Sequence, residues 1–313
     1  MFNYFLRRSA QIPVTLLGLF IIIFTVIRVM PGDPVVVYLG DMATPQAIAE
    51  MKAKFGLDKP LYAQFVQTLV GIATGDLGRS FVSGRGVMQE ILSVLPYTAS
   101  LAVVALFFSS VLGILAGIAA ALRLNRWGDY LVMTISVLGV SMPVFWLGLL
   151  LMLFFSYRLD LFPVAGVAAG SGFWPQLHAL ILPAAALSTL CMALVARMTR
   201  SSMTEMLHSD FIRTVRSKGA TERLIVAKHA LRNAMIPILT VIGLNTGLLF
   251  TGAVLTETVF ARPGLGKLLV ESVVSSDYPV VQGVILLIGI LYAVINLVVD
   301  MLYAWLDPRI KYE

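Results

Sequence analysis

Six long apolar runs constrain the fold of this chain more than any other feature of its sequence. A helix needs about 20 mostly apolar residues to cross roughly 30 Å of hydrocarbon. Lipid offers the backbone no hydrogen bonds, so a spanning segment must be a helix or a strand of a closed barrel, and barrel strands alternate polar and apolar residues. The runs do not alternate, which predicts an all-α polytopic membrane protein with six transmembrane helices. They cover residues 10–30, 97–122, 130–157, 177–196, 234–255 and 280–302.

The distribution of charge predicts how these helices are oriented. Only 13% of the 313 residues are charged, and the net charge is +6. Positive charge in membrane proteins collects in cytoplasmic loops, so it does not point to nucleic acid here. A cytoplasmic N-terminus leaves the short outside loops with only Arg158, Arg262 and Lys267. Both termini are therefore predicted to be cytoplasmic. The first run is long enough to span and lacks a cleavage site, so we expect it to be a retained helix rather than a signal peptide.

The chain divides into three predicted parts. They are a first helix with an extracytoplasmic segment (1–96), a transport domain of five helices (97–305) and a cytoplasmic tail (306–313). The segment 31–96 holds a Pro-Gly-Asp-Pro turn at 31–34, an amphipathic helix near 43–57 and a glycine-rich turn at 75–86. Its composition leaves two interpretations open, a cap on the outer mouth or a docking surface for an external protein.

A strongly basic segment, residues 197–232, interrupts the apolar runs. Its cations are Arg197, Arg200, Arg213, Arg216, Lys218, Arg223, Lys228 and Arg232. Ser209 and Asp210 can cap the N-terminus of a helix, and Gly219 can end that helix in the left-handed conformation. A second helix can begin at Thr221 and continue into the next apolar run. The sequence thus predicts a short, separate helix over 210–219, inside what we predict to be a cytoplasmic loop (197–233).

The short helix has two possible contacts. Phe211, Ile212 and Val215 cluster on one side of it, while Arg213, Arg216 and Lys218 point elsewhere. An apolar ridge with a basic rim fits the groove of a cytoplasmic partner. It fits anionic lipid headgroups equally well. The residues by themselves leave both interpretations open.

Enzymatic chemistry finds no support in the sequence. The three histidines are scattered, and Cys191 lies inside an apolar run as a small packing residue. The RPGLGK stretch fails as a phosphate loop, because Ala261 stands where the first glycine belongs and Leu268 follows the lysine. A turn leading to a short surface helix is predicted instead. We therefore expect no catalytic residue, metal or cofactor in this chain.

Polar and helix-breaking residues within the runs indicate a transport path. Such residues are costly against lipid and should face the bundle interior. The candidates for the path are Ser141, Pro143, Asn245, Thr246 and Asn296. Proline is predicted to interrupt the helices at 143, 183 and 237, and glycine pairs at 113/117 and 243/247 should let helices approach closely. A self-contained channel or carrier remains the alternative, although the sequence shows no selectivity filter or chain of carboxylates.

The sequence resembles the inner-membrane permease subunits of type I ATP-binding-cassette importers, in the dipeptide, oligopeptide and nickel branch. The resemblance covers nearly the whole chain. It rests on PGDP (31–34), FGLDKPLYAQF (55–65), GDLGRS (75–80), SMPVFWLG (141–148), ARMTRSSM (196–203), DFIRTVRSKGA (210–220), KHALRNAMIP (228–237), GAVLTETVFARPGLGKLL (252–269), DYPVVQG (277–283) and NLVVDMLYAWLDPRIKY (296–312).

This resemblance implies a multi-pass protein of the bacterial inner membrane. It implies a second, homologous permease, two cytoplasmic ATPases that bind ATP and magnesium, and an external substrate-binding protein. The family's Glu-Ala-Ala-x-x-x-Gly coupling motif would fall on Arg213 to Gly219, where the glycine matches and the first three residues do not. The implied cargo is a dipeptide or short oligopeptide, with glutathione, a nickel complex or another small solute as alternatives. The implied ATPase-coupling residues are Asp210, Phe211, Ile212, Arg213, Thr214, Val215, Arg216, Lys218 and Gly219.

Overall fold

The computed structural model describes residues 2–29, 32–164, 166 and 172–306. At its two ends, it describes side chains only from residue 8 and up to residue 301. Within these residues the chain is helical, and an isolated bridge between Arg79 and Gly86 is the only extended pairing. The all-α class is confirmed. The helices are α1 (Phe2–Val29), α2 (Pro34–Leu39), α3 (Pro45–Phe55), α4 (Leu61–Thr74), α5 (Val87–Leu122), α6 (Trp127–Ser141), α7 (Val144–Leu151), α8 (Phe173–Leu207), α9 (Asp210–Ser217), α10 (Glu222–Leu224), α11 (Leu231–Val259), α12 (Leu265–Val274) and α13 (Tyr278–Leu306).

Five stretches of the described chain are long and apolar enough to cross a membrane. They are Arg8–Val29, Val87–Leu122, Phe173–Leu207, Glu222–Val259 and Tyr278–Met301. The fourth consists of α10, a π-helical turn (Ile225–Ala230) and α11. The third predicted run, 130–157, is not one straight helix. It is α6 and a second rod, Val144–Arg158, bent by 109°, and the total is six spans when this pair counts as one.

The break between α6 and α7 has a local cause. Proline disfavours the helical conformation in the residue before it. Met142, directly before Pro143, is extended with φ −84° and ψ 130°. The predicted interruption at Pro143 is therefore confirmed. The bend places the two halves of the apolar run in different directions.

The interruptions predicted at the other two prolines are wrong. Pro183 lies inside the continuous helix α8, and Pro237 lies inside α11. A proline removes one backbone hydrogen bond, which a long helix tolerates when neighbouring helices hold it in place. Helix α8 packs against α6, α7 and α11, and Pro183 is buried.

The chain forms two compact units. The larger contains Ala99–Arg262 and the residues from Val294 onward, and the smaller contains Phe2–Thr98 and Pro263–Ala293. The predicted parts 1–96 and 97–305 stay predictions. The predicted tail 306–313 lies outside the described residues, apart from the backbone of Leu306.

Close contact between α5 and α8 organises the larger unit. A Cβ atom on Gly117 would lie 2.4 Å from Cβ of Thr199, and one on Gly113 would lie 2.8 Å from Cβ of Val195. The predicted role of this glycine pair is thereby confirmed. Next to it, Cys191 is buried among apolar side chains of α5, α8 and α11, as expected of a packing residue.

We expect Gly117→Ala to destabilise the protein by about 1–3 kcal/mol, because the added methyl group forces two packed helices apart. Gly18→Ala is the matched control. A Cβ at Gly18 meets nothing within 4 Å, and alanine suits a helix better than glycine. Thermal unfolding of the purified protein in detergent measures both. Equal unfolding temperatures for Gly117→Ala and the parent protein would contradict the close packing.

In the smaller unit, one carboxylate fixes the glycine-rich turn. Asp277, which is buried, accepts hydrogen bonds from the hydroxyl of Ser80 at 2.5 Å and from the backbone N–H of Phe81 at 3.0 Å. Thr44 caps the N-terminus of α3, since its hydroxyl accepts a hydrogen bond from the N–H of Ala47, and the left-handed Gly56 follows the end of the helix. The amphipathic helix predicted near 43–57 is thus confirmed. The predicted turn and short helix at RPGLGK are also confirmed, since α12 begins at Leu265 within that stretch.

Candidate functional site

Helix α9 has the boundaries that the sequence predicts. The hydroxyl of Ser209 accepts a hydrogen bond from the N–H of Ile212, which satisfies one of the free donors at the start of the helix. Asp210 adds a negative charge to the first turn, where the helix dipole favours it. Gly219, with φ +83°, follows the helix in the left-handed conformation. The chain then resumes at Thr221, which precedes α10.

The apolar side of α9 differs from the predicted ridge. Ile212 is 0% exposed and packs inside the larger unit against Met203, Ile225 and Ala234. Val215 is half-buried against the same cluster. Ile212 therefore holds α9 to its own chain and is not accessible to a partner, and Val215 is only partly accessible. The prediction of a three-residue ridge was wrong because helix spacing cannot tell which neighbouring element covers a side chain.

Phe211 is the apolar side chain that α9 presents outward. It is 51% exposed, and its ring lies 6.0 Å from that of His229. The remaining exposed positions of the helix and its C-terminal turn are polar. They are Asp210, Arg213, Thr214, Arg216, Ser217 and Lys218. The exposed face of α9 is therefore one aromatic ring within a mainly basic surface.

An ion pair joins the end of α9 to the start of α10. The guanidinium of Arg216 donates two hydrogen bonds to the carboxylate of Glu222, at 2.7 and 3.2 Å. This carboxylate raises the pKa of Arg216 above its ordinary value. The pair directs the Arg216 side chain toward the start of α10. Asp210 and Arg213 form a second, fully exposed pair at 3.1 Å.

A buried ion pair supports this region from within the larger unit. Asp129 in the first turn of α6 is 1% exposed and accepts two hydrogen bonds from Arg200 of α8, at 2.5 and 2.6 Å. It also accepts from the backbone N–H of Asn125. Sequence analysis missed Asp129, although an acid in the first turn of an apolar helix was a signal. In the sequence, Arg200 is one of the cations of the basic segment 197–232. In the structure, its guanidinium forms this ion pair with Asp129.

The five path candidates lie apart along the larger unit. Ser141 and Pro143 flank the α6–α7 break, while Asn245 and Thr246 lie in the middle of α11 and Asn296 lies on α13. Side-chain donors of Ser141, Asn245 and Thr246 bond to carbonyl groups four residues earlier in their own helices. A cavity of about 360 Å³ between α5, α6, α7 and α8 is lined by none of the five. Their role in a path stays a prediction.

A further acid lies inside a span. The fifth predicted run stops at residue 255, but α11 continues to Val259 and includes Glu257, which is fully buried. Glu257 is thus an acid within a span that the predicted apolar run does not include. Two threonines, Thr256 and Thr258, flank Glu257 in the sequence. These three polar residues lower the local hydropathy, so the predicted apolar run ends before the helix does.

Two family models together match nearly the whole length of this chain. The model described as the binding-protein-dependent transport system inner membrane component matches residues 113–312, and the model of the N-terminal part of such membrane components matches residues 1–102. The dipeptide transport system permease protein DppB of Alkalihalophilus pseudofirmus is 42% identical over 333 residues, with 100% of both chains covered. The di/tripeptide permease DppB of Pseudomonas aeruginosa and the glutathione permease GsiC of Salmonella typhimurium are also 42% identical, with full coverage of both chains.

The fold agrees with a solved structure. The inward-facing MetNI methionine ABC transporter matches with a TM-score of 0.59 at 20% identity, over 70% of this chain and 97% of that chain. At this identity the likeness concerns the fold alone, which is that of an ABC importer permease. Together with the apolar spans, these matches establish that the chain is a multi-pass inner-membrane protein and belongs to the family of binding-protein-dependent transport system inner membrane components.

Proposed function

We propose that this chain is the permease subunit of an ATP-driven importer of dipeptides or short oligopeptides. The observation that carries the proposal is the full-length identity of 42% to relatives named as dipeptide, di/tripeptide and glutathione permeases. The glutathione relative matches as well as the dipeptide ones. Glutathione therefore remains the second candidate cargo.

The proposed orientation has both termini in the cytoplasm, since this assigns the basic segment to the cytoplasmic face. There α9 docks into a cleft of a separate ATPase, with Phe211 inserted and Arg213, Arg216 and Lys218 around it. ATP and magnesium bind to the two ATPase subunits, and this chain carries out no hydrolysis. Closure of the ATPase pair moves α9, and the spans switch between inward and outward access as rigid bodies.

The path requires further chains. We propose a second, homologous permease as the other half, and a substrate-binding protein that delivers cargo at the outer face. Ser141, Pro143, Asn245, Thr246 and Asn296 are the proposed lining residues of this half. The side chains of Ser141, Asn245 and Thr246 form hydrogen bonds within their own helices. A shift of the helices would therefore be needed to bring the five residues to a common space.

Purification in mild detergent from the native membrane tests the assembly. We expect this chain to be recovered with two ATPase chains and a second permease. In proteoliposomes loaded with ATP, the complex with its binding protein should take up labelled dipeptide. Excess unlabelled glutathione should reduce this uptake only if glutathione is also a cargo. Recovery of this chain alone, or of a homo-oligomer that transports without ATP, would establish a channel or carrier instead.

A further inference from the structure

Helix α4 combines three unlike faces, and one of them is an apolar face that nothing in the described chain covers. The helix has 14 residues and no charged side chain. Its first apolar face packs within the smaller unit. The ring of Phe65 lies 5.1 Å from that of Phe20 and 5.2 Å from that of Phe24, both on α1, and Leu69 and Ile72 pack against the same cluster.

The second face of α4 is polar and lines a cavity. Gln64, Gln67, Thr68 and Gly71 contribute to the wall of a cavity of about 580 Å³ in the smaller unit. The charged residues around this cavity are mostly cations, with Arg28, Lys54 and Arg79 against Asp76. Gln282, which is 6% exposed, also lines it and has a side-chain nitrogen without a partner. The composition of this wall suits water rather than lipid.

The third face is the uncovered one. Tyr62, Val66 and Val70 recur at intervals of four residues and are 74%, 55% and 56% exposed. At 100° per residue, this stripe lies on roughly the opposite side of α4 from the polar wall. A helix with a polar side facing water and an opposite apolar side is the arrangement of helices that lie in a membrane interface.

The contacts with α1 fix the depth of α4. Arg28, in the last turn of α1, donates two hydrogen bonds to the side-chain oxygen of Gln64, at 3.3 and 3.2 Å. Phe24 and Phe20 lie five and nine residues before Val29, which is about 8 and 14 Å along the helix axis. Since α1 is a transmembrane span, side chains stacked on these two rings lie below the level at which the span ends.

We propose that α4 is embedded in the lipid of the leaflet in which α1 ends, with Tyr62, Val66 and Val70 in contact with acyl chains. The part of α1 beside Phe20 and Phe24 supports this occupant, because Leu17 and Ile21 are apolar and 42% and 45% exposed. The segment 31–96 is then not wholly extramembrane. Its fourth helix is an anchor that fixes the polar cavity at the membrane surface. The inference depends on α1 crossing the membrane and is independent of cargo and ATPase.

Site-directed spin labelling of the full complex in lipid nanodiscs tests this proposal. Cys191 is the single cysteine of this chain, so Cys191→Ala removes the other labelling site from it, and the same complex without an introduced cysteine is the blank for labels on the other subunits. Labels at Val66→Cys and Val70→Cys should collide several-fold more with oxygen, which concentrates in hydrocarbon, than with a water-soluble nickel complex. Val26→Cys on α1 is the lipid reference. Gln67→Cys, one residue from Val66 but on the cavity side, is the aqueous control and should show the reverse ratio.

Two results would overturn the proposal. A high collision rate with the nickel complex at positions 66 and 70 would place the stripe in water. Low rates with both reagents would mean that a protein, such as the second permease or the binding protein, covers it. Thermal unfolding of each labelled variant verifies that the fold is retained, and Tyr62→Cys provides a third position in the same stripe.

Discussion

We expect Phe211→Asp to abolish ATP-driven uptake while the protein still inserts into the membrane. Phe211 is the exposed aromatic ring on α9, whereas its neighbour Ile212 is fully buried. An aromatic anchor that fills a pocket on a partner contributes about 2 kcal/mol or more to binding, and a charge in that pocket removes it. Loss of that amount weakens ATPase binding at least about thirtyfold. Retention of the ATPase on immobilised permease, measured beside uptake, shows whether lost docking is the cause.

The change is informative because it leaves the core of the larger unit intact. Ala49→Asp, at an exposed position of α3, is the matched control for adding a surface charge and should preserve uptake. Gly219→Pro should give the same loss as Phe211→Asp by another route, since proline fixes φ near −65° and Gly219 has φ +83°. Normal uptake in both variants would reject the role of α9 in coupling.

The second large effect concerns the buried pair of Asp129 and Arg200. We expect Asp129→Asn to lower the free energy of unfolding by about 1.5–3 kcal/mol, because it removes the charge from hydrogen bonds to Arg200, whose side chain is 28% exposed. The Asp129 side chain is 1% exposed, and two short hydrogen bonds join it to Arg200. Chemical or thermal unfolding in detergent measures the loss. Uptake should fall with it, because this pair fixes the start of α6 on α8.

Two further variants serve as controls for this prediction. The variant with both Asp129→Leu and Arg200→Met should recover most of the lost stability, because replacing both charges avoids leaving one unpaired. Arg213→Gln, which breaks the exposed pair with Asp210, should cost less than about 1 kcal/mol. If Asp129→Asn unfolds like the parent protein, the buried pair is not a structural support.

Local features were predictable from sequence wherever the physical cause is local. The apolar runs predict the spanning helices, because a segment in hydrocarbon must satisfy its backbone hydrogen bonds internally and a helix does so within itself. Ser209 and Gly219 define α9 through a side-chain cap and a left-handed turn, which involve only neighbouring residues. The family, too, follows from the order of short motifs along the chain.

Contacts between distant residues were not predictable in the same way. Asp129 and Arg200 are 71 positions apart, and nothing in either local sequence designates the other as its partner. The three prolines at 143, 183 and 237 are alike in sequence, yet only the first ends a helix. The packing of α8 and α11 against their neighbours explains the other two, since it holds the helix across the missing hydrogen bond.

The sequence by itself determined that this protein is an all-α membrane protein, where its spans lie and where the separate helix α9 begins and ends. These properties depend on hydropathy and on the conformations of single residues. Only the tertiary structure decided that Ile212 faces inward and Phe211 outward, and that α4 stacks on the aromatic rings of α1. The side chains on all faces of a short helix are known from its sequence, but the neighbour that covers each face is chosen by the packing of the whole unit.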